Sequence, residues 1–185
     1  MRTSTNSYPG SLDARGTVQK KQYDVIYVDP ANGNNNNLGD TKETSMKTIT
    51  GAINNLTENG TIVLLGDYSS YTVIDKNVTI KSEDAKQYSF APTLALNADN
   101  LRVTLDSVNL SNLTATGYGT NETLTIKNSS GSIQSTDQNI ANVQVEDSNL
   151  SGRLTASQNL EFKNVTFSGK FQTEKFIADG KNILI

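Results

Sequence analysis

The 185-residue chain contains neither cysteine nor histidine. The lack of cysteine excludes disulfides, thiolate metal sites and cysteine nucleophiles. The lack of histidine removes the commonest general base and a common metal ligand, so any catalysis would have to use carboxylates, Lys, Arg or Tyr. This composition favours a non-enzymatic role, although it does not exclude an enzyme.

The chain also lacks a long cluster of charges of one sign and a long apolar segment. The 16 basic and 19 acidic residues form no long block, so the chain presents no field that would hold a nucleic acid. No apolar run approaches the roughly 20 residues that cross a bilayer. The polar residues 1–6 are not typical of a secretory signal. We therefore expect a soluble protein with no nucleic-acid and no membrane partner.

Apolar residues make up only 35% of the chain and aromatic residues 6%. This is little for a globule with one wide core, but it suits a narrow rod whose layers each bury a few aliphatic side chains. The length predicts one domain plus a tail. Residues 1–22 are polar and show no apolar period, which indicates an extended docking arm or, alternatively, a disordered segment.

The first strand is predicted at Tyr23–Val28, which is rich in β-formers and is ended by Asp29-Pro30. The following loop is rich in asparagine, which favours turns. Its side chains also supply the hard oxygen ligands that calcium prefers, although the spacing is not that of an EF-hand. The candidate calcium ligands are Asp29, Asn32, Asn34, Asn36 and Asp40.

A short helix is predicted after this loop, with Ser45 or Thr48 as its N-terminal cap. Asn59-Gly60 would terminate the helix. Its spacing of i, i+3, i+4 and i+7 predicts one apolar stripe. The stripe consists of Ile49, Ala52, Ile53 and Leu56.

Short apolar-polar-apolar segments recur over the rest of the chain, each followed by a polar corner. Their spacings of about 25, 21, 19 and 17 residues predict a solenoid in which one repeat is one coil. The aligned residues, expected to stack in one interior column, are Ile80, Leu105, Ile126, Val145 and Phe162. An antiparallel β-sandwich is the alternative, although sandwiches rarely repeat one triplet so regularly.

Asparagine recurs at or near the corners of these repeats. At such a corner its amide can stack on the next coil and satisfy backbone groups that a turn leaves unpaired. The corner asparagines are Asn77, Asn100, Asn109, Asn128, Asn142, Asn149, Asn159 and Asn164.

Four segments resemble the opening of pectin-lyase-like right-handed β-helix proteins: Ile26–Gly33, Lys47–Ile53, Gly60–Tyr68 and Val78–Ile80. The shared pattern is a strand, a loop rich in glycine and asparagine, a capping helix, a strand ending in a Gly-x-Tyr turn, and a first full coil. The resemblance implies a single-stranded right-handed parallel β-helix over residues 23–185 with a short N-terminal capping helix. It leaves function open, because the same scaffold carries lyases, hydrolases, adhesins and phage tailspikes.

A second resemblance lies in the arm, where Ser7–Asp13 is similar to segments near the N-termini of phage tail and fibre proteins. It implies a non-enzymatic virion protein, such as a fibre, spike or decoration protein, that binds other virion proteins and faces host-surface glycans. The alternatives are a polysaccharide lyase or hydrolase and an extracellular bacterial adhesin module. The expected docking residues are Tyr8, Pro9, Gly10, Leu12 and Asp13.

For a lyase of this fold, the resemblance implies acidic calcium ligands and an Arg or Lys base on one face of neighbouring coils. The simpler interpretation is a solvated solenoid face on which opposite charges alternate. A hydrolase would need clustered aspartates, and no two aspartates are adjacent. No cofactor is expected, apart from the calcium candidate above. The charged candidates are Asp106, Glu146, Asp147, Arg102, Lys127, Arg153 and Lys163.

Two further groups are candidate contact residues. Four tyrosines could stack on sugar rings, with core or corner packing as the alternative: Tyr68, Tyr71, Tyr88 and Tyr118.

The C-terminal end is apolar although the last coil has no successor, which predicts that a partner covers it, as in the homotrimers that the resemblance to phage spikes implies. A self-made cap is the alternative. The end residues are Phe176, Ile177, Ile183, Leu184 and Ile185.

Overall fold

The computed structural model describes residues 21–83 and 88–179. Fifteen strands and one short helix follow one another along this part of the chain. They are β1 (Tyr23–Val28), α1 (Ile49–Ile53), β2 (Leu56–Leu64), β3 (Thr72–Ile74), β4 (Val78–Ser82), β5 (Ser89–Phe90), β6 (Thr93–Leu96), β7 (Arg102–Asp106), β8 (Asn109–Gly117), β9 (Thr123–Lys127), β10 (Ser130–Thr136), β11 (Asn142–Glu146), β12 (Asn149–Thr155), β13 (Asn159–Lys163), β14 (Thr166–Gln172) and β15 (Lys175–Asp179).

The strands form a parallel β-helix. The chain passes from one sheet to the other in each coil, and the strands within both sheets pair in parallel. The first sheet has the order β1-β2-β4-β7-β9-β11-β13-β15, and the second contains β14-β12-β10-β8-β6-β3 with β5 beside β8. This parallel pairing confirms the predicted fold and rejects the antiparallel sandwich. Within the described ranges, no helix is long and apolar enough to span a bilayer.

The predicted interior column is confirmed by the strand register. Ile80 pairs with Leu105, Leu105 with Ile126, Ile126 with Val145, and Val145 with Phe162. All five side chains are fully buried. Because successive strand residues point to opposite faces, the alternating pattern of each repeat places this column inside and its polar neighbours outside.

The first strand is confirmed at Tyr23–Val28, but the helix is shorter than predicted. Thr48 is its N-cap, and the Thr48 side chain accepts a hydrogen bond from the Gly51 N–H at 3.0 Å. The helix ends at Ile53, so Leu56 belongs to β2 and not to the helical stripe. The prediction that Asn59-Gly60 terminates the helix is wrong.

Asn59 instead makes an irregularity inside β2. It has a φ of 61°, and the register of β2 against β1 shifts between the pairs Tyr23–Leu56 and Val25–Thr61. Leu56 is therefore buried as a strand residue. The tolerance of asparagine for left-handed backbone suits either a helix end or a bulge, and the strand pairing selects the bulge here.

Asparagine amides join the coils at one corner. The Asn121 Nδ2 donates to Asn100 Oδ1 at 3.0 Å, the Asn142 Nδ2 donates to Asn121 Oδ1 at 3.4 Å, and the Asn159 Nδ2 donates to Asn142 Oδ1 at 2.7 Å. Three of the four were predicted to stack in this way, and Asn121 is an addition. Stacked amides suit a solenoid because each can donate to one coil and accept from another.

The two ends of the rod differ. At the N-terminal end, the outer edge of β1 is hydrogen bonded to the loop that follows it: the Tyr27 N–H donates to the Gly39 carbonyl at 2.8 Å, and Tyr27 O accepts from the Met46 N–H at 2.9 Å. At the C-terminal end, β15 pairs with β13 alone among the described strands. The predicted end residues Ile183, Leu184 and Ile185 lie outside the described residues.

Candidate functional site

Two tyrosines flank a shallow groove on the second sheet. The groove has a volume of about 300 Å³ and is lined by Tyr71, Val73, Ala95, Asn97 and Tyr118. Tyr71 is 60% exposed and Tyr118 is 64% exposed. Large aromatic side chains with this exposure present ring faces to solvent, where they can contact the C–H patches of a sugar. We call this the tyrosine groove.

The floor of the tyrosine groove is set by strand alternation. Val73 on β3, Ala95 on β6 and Thr116 on β8 pair in register. Leu94 and Leu96, the neighbours of Ala95, are fully buried in the core, so Ala95 lies on the outer face of the sheet, where its neighbours leave it only 2% exposed. A methyl group at this position leaves room between the two tyrosines.

A buried carboxylate lies behind the Tyr118 wall. Glu122 is fully buried, and its Oε1 accepts the Gly119 N–H at 2.5 Å. Its Oε2 has no hydrogen-bond partner within the described chain. The Gly119 N–H bond ties down the residue that follows Tyr118. Glu122 therefore fixes the backbone of Gly119, directly after Tyr118.

Tyr118 also belongs to a second groove of about 480 Å³, which runs along later coils. A third groove of about 350 Å³ shares Gln138 and Asn139 with the second and continues the surface toward β14. Amide side chains can both donate to and accept from hydroxyl groups. We call this surface the amide groove and define it by its exposed amides, which are Asn121, Gln138, Asn139, Gln158 and Gln172.

Sequence reasoning identified Tyr71 and Tyr118 but missed the amide groove. Its residues lie on separate corners and strand ends, with no shared short motif. The available signal was the recurrence of Asn and Gln after the strands of successive repeats. Only the asparagines were interpreted, as corner packing, which is correct for Asn142 and Asn159. No role was predicted for the exposed Gln138 and Gln158.

The other two predicted tyrosines lie elsewhere. Tyr68 is 2% exposed, stacks on Phe90 with ring centroids 6.1 Å apart, and its hydroxyl lies 2.9 Å from Thr72 Oγ1. Its ring is part of the core, which is the packing role stated as the alternative for Tyr68. Tyr88 is half-buried against the core and does not line the tyrosine groove.

The candidate calcium ligands form the asparagine-rich loop after β1, where their oxygens bond to the loop itself. Asp29 Oδ1 accepts the Asn32 N–H at 3.0 Å, and Asp29 Oδ2 accepts Asn32 Nδ2 at 3.1 Å. Asn34 Oδ1 accepts the Asn36 N–H, and Asp40 Oδ1 accepts the hydroxyl of Thr44. Burial raises the pKa of Asp29, but the hydrogen bonds from Asn32 and Ala31 outweigh it and lower that pKa overall.

No group of three or more Asp, Glu, His or Cys side chains could hold a metal ion in the part of the chain that the structure describes. The loop hydrogen bonds account for the positions of Asp29, Asn34 and Asp40 as turn-forming residues. Calcium binding stays a prediction.

The charged candidates stand mostly in one row on the first sheet. Basic and acidic residues alternate from coil to coil and pair in register, so each charged side chain lies beside side chains of the opposite charge. Of the others, Asp147 Oδ1 accepts the Asn164 amide at 3.1 Å, Arg102 begins β7, and Arg153 pairs with Lys170 on the second sheet. The row, which we call the charge ladder, consists of Lys81, Asp106, Lys127, Glu146, Lys163 and Asp179.

Asp106 is the best-connected carboxylate of the charge ladder. It accepts Asn128 Nδ2 at 2.9 Å and the Ser107 hydroxyl at 3.0 Å, and Lys127 Nζ lies 3.4 Å from its Oδ2. Burial raises the pKa of Asp106, but these hydrogen bonds and the Lys127 charge outweigh it and lower that pKa below the usual 3.8. Its partners support a structural role.

We expect the stabilisation from Asp106 to be lost in acid. A carboxyl whose pKa is lower in the folded state stabilises the fold above its unfolded pKa, and this contribution disappears as the pH falls through the folded value. The free energy of unfolding of the natural chain should therefore exceed that of Asp106→Asn at neutral pH, and the difference should shrink below about pH 4. Urea denaturation at several pH values measures it.

The exposed Asp75→Asn is the control for the loss of one carboxylate, since Asp75 lies outside the charge ladder. A difference between the natural chain and Asp106→Asn that stayed constant from neutral pH to pH 2 would contradict the structural role of the Asp106 carboxylate.

Comparison with known proteins does not identify a family for this chain. No family model matches the sequence, and neither the curated proteins nor the solved structures provide a match. The resemblances to pectin-lyase-like proteins and to phage tail proteins therefore stay predictions, and the parallel β-helix itself stands on the strand pairing.

Proposed function

We propose that this chain is a non-enzymatic rod that binds glycans along the tyrosine groove and the amide groove. The observation that carries the proposal is that Tyr71 and Tyr118, two of the most exposed large hydrophobic side chains, flank one groove. Aromatic faces and amides are complementary to the two kinds of surface on a sugar, its C–H patches and its hydroxyl groups.

The shape of the surface favours a linear glycan. The two grooves share Tyr118 and run across neighbouring coils, which lie about 4.8 Å apart in a parallel sheet. A saccharide chain that lies along the rod would meet similar polar groups on successive coils. Such binding needs no movement of the strands that form the floor.

A structural role for the carboxylates supports the non-enzymatic part of the proposal. Asp106 and Glu146 lie in the charge ladder, and Asp147 holds a corner through Asn164. The tyrosine groove is lined by aromatic, aliphatic and amide side chains, without a carboxylate, and Glu174 is a single carboxylate in the lining of the amide groove. A hydrolase of the usual kind would require a pair of carboxylates beside the bound saccharide.

The setting that we propose is a virion, with the chain as a fibre, spike or decoration protein that contacts host-surface glycans. The support is the similarity of Ser7–Asp13 to phage tail and fibre proteins. The docking residues named above, Tyr8, Pro9, Gly10, Leu12 and Asp13, lie outside the described residues. A bacterial surface adhesin is the alternative setting, and the same glycan contacts would serve it.

Glycan binding is tested on an array of linear polysaccharides and oligosaccharides. The double substitution Tyr71→Ala and Tyr118→Ala should weaken every bound glycan by about tenfold or more, since each aromatic contact contributes roughly 1 kcal/mol beyond its buried area. Tyr71→Phe combined with Tyr118→Phe is the matched control, because it keeps both ring faces and should retain most of the binding.

Two results would contradict the glycan proposal. The first is a natural chain that binds no glycan on the array. The second is binding that survives the double alanine substitution, because the glycan would then lie outside the tyrosine groove. The melting temperature of each variant shows whether the fold is intact.

A further inference from the structure

Among the described strands, β15 is an end strand of the first sheet at the C-terminal end of the rod, as β14 is of the second sheet. The β1 edge at the other end is hydrogen bonded to the Gly39 and Met46 backbone, whereas β15 has β13 as its single neighbour among the described strands. An unpaired edge is a template for another strand. Because the β1 edge is occupied by its own loop, it is not available to pair with β15 of another copy, and the sequence of β15 itself indicates its partner.

The backbone groups on the β15 edge belong to Phe176 and Ala178. The Lys175 N–H donates to Gln158 O at 2.9 Å, and Asp179 O accepts the Asn164 N–H at 3.0 Å, so both residues direct their backbone groups toward β13. Successive strand residues direct these groups to alternate sides. The N–H and C=O groups of Phe176 and Ala178 therefore face away from β13.

The sequence of β15 is complementary to itself when it is reversed. In an antiparallel pair centred on Ile177, Lys175 of one copy lies opposite Asp179 of the other, at both ends of the pair. Phe176 lies opposite Ala178, so a large side chain meets a small one. Ile177 lies opposite Ile177. Opposite charges and matched sizes at directly opposed positions stabilise strand pairs.

The core side of β15 adds an apolar contact. Phe176 pairs in register with Leu160, and Ala178 with Phe162, so both face the interior of the rod. Phe176 stacks on Phe171 with ring centroids 4.5 Å apart and packs edge-on against Phe162 at 5.3 Å. These rings close the last core layer from one side, and no described strand pairs with β15 on the other side. Ile177, on the outer face, is 37% exposed.

We propose that two copies of this chain pair through β15 in an antiparallel, two-fold symmetric contact that joins two rods end to end. Phe176 and Ala178 of opposite copies then exchange backbone hydrogen bonds, and the two Ile177 residues form the closer, non-hydrogen-bonded pair at the centre. A two-fold contact uses the same surface on both copies and closes the assembly at two. This dimer is an alternative to the homotrimer expected from the resemblance and is independent of glycan binding.

The first test exchanges charges at the two ends of the pair. Asp179→Lys puts Lys175 opposite a lysine, and Lys175→Asp puts Asp179 opposite an aspartate, so each variant repels its own copy. Each should raise the dimer dissociation constant by about tenfold or more. An equimolar mixture of the two variants should dimerise again, because both ends of the mixed pair then join opposite charges. Asp75→Lys, far from β15, is the control.

Sedimentation equilibrium of the full chain over a dilution series measures these constants against the 20.0 kDa mass of one chain. A dimer that is lost in each single variant and regained in the mixture supports the proposal. A full chain that is monomeric at all concentrations overturns it, as expected if residues 180–185 cover the edge. A trimer, or a dimer that is indifferent to both reversals, overturns it as well.

The second test uses the absence of cysteine. In the proposed pair the Ile177 Cα atoms are about 4.5 Å apart, within the range that a disulfide spans. Ile177→Cys should therefore form a disulfide-linked dimer under mild oxidation, whereas Asp75→Cys should not. Equal cross-linking of the two variants would show random collision and would overturn the pairing.

Discussion

Ile126→Asp should destabilise the rod by about 4 kcal/mol or more, a large part of its total stability. Ile126 is fully buried and pairs in register with Leu105 on one side and Val145 on the other, so a carboxylate there would have no partner in the core. An unpaired buried charge costs about 4 kcal/mol or more, in addition to the apolar contacts that are lost. The total stability of a domain of this size is roughly 5–15 kcal/mol.

Thermal melting followed by circular dichroism measures this effect. A loss of about 4 kcal/mol lowers the midpoint by roughly 10 °C or more in a chain of this length. Ile126→Val is the matched control and should cost only about 1 kcal/mol, because it removes one methylene group and adds no charge. A midpoint for Ile126→Asp equal to that of the control would contradict the burial of this column.

Gly152→Ala should destabilise the rod by roughly 3 kcal/mol, because it combines two costs. Gly152 has a φ of 118°, a conformation that L side chains rarely adopt. A Cβ at this position would also lie 1.8 Å from the carbonyl oxygen of Ile133 on the preceding coil. That oxygen belongs to the backbone and cannot move without disturbing the pairing of β10 with β12.

Gly66→Ala is the control for Gly152→Ala. A Cβ at Gly66 would meet its nearest atom, Pro30 Cδ, at 3.5 Å, which is an ordinary contact. This substitution should change the free energy of unfolding by no more than about 0.5 kcal/mol. Chemical denaturation of both variants gives the comparison. Similar losses at the two positions would mean that the close approach of the coils at Gly152 is not the cause.

The interior column and the first strand could be predicted because they follow from local alternation. Ile80, Leu105 and Ile126 each sit in a short segment where apolar and polar residues alternate, and in a strand this pattern alone decides which side chains point inward. The spacing between the segments then indicates coils. No long-range information was required.

The helix end was mispredicted, and Tyr68 was left between a sugar contact and core packing, because neighbours distant in sequence decide both. Leu56 continues the helical period, but its pairing with Tyr23 makes it a strand residue. Tyr68 and Tyr71 are close in the sequence, yet Tyr68 stacks on Phe90 and Tyr71 lies open to solvent. A tyrosine suits both environments, so its residue type cannot distinguish them.

The sequence by itself determined the inward and outward faces of the strands and the division into coils. Tertiary structure decided which outward residues meet, because the coils differ in length and register depends on the corners. Lys127 reaches Asp106 only through the pairing of β7 with β9. Tyr71 shares a groove with Tyr118 only through the pairing of β3 with β6 and of β6 with β8. A shift of one residue in any corner would reverse the faces of the next strand and separate these side chains.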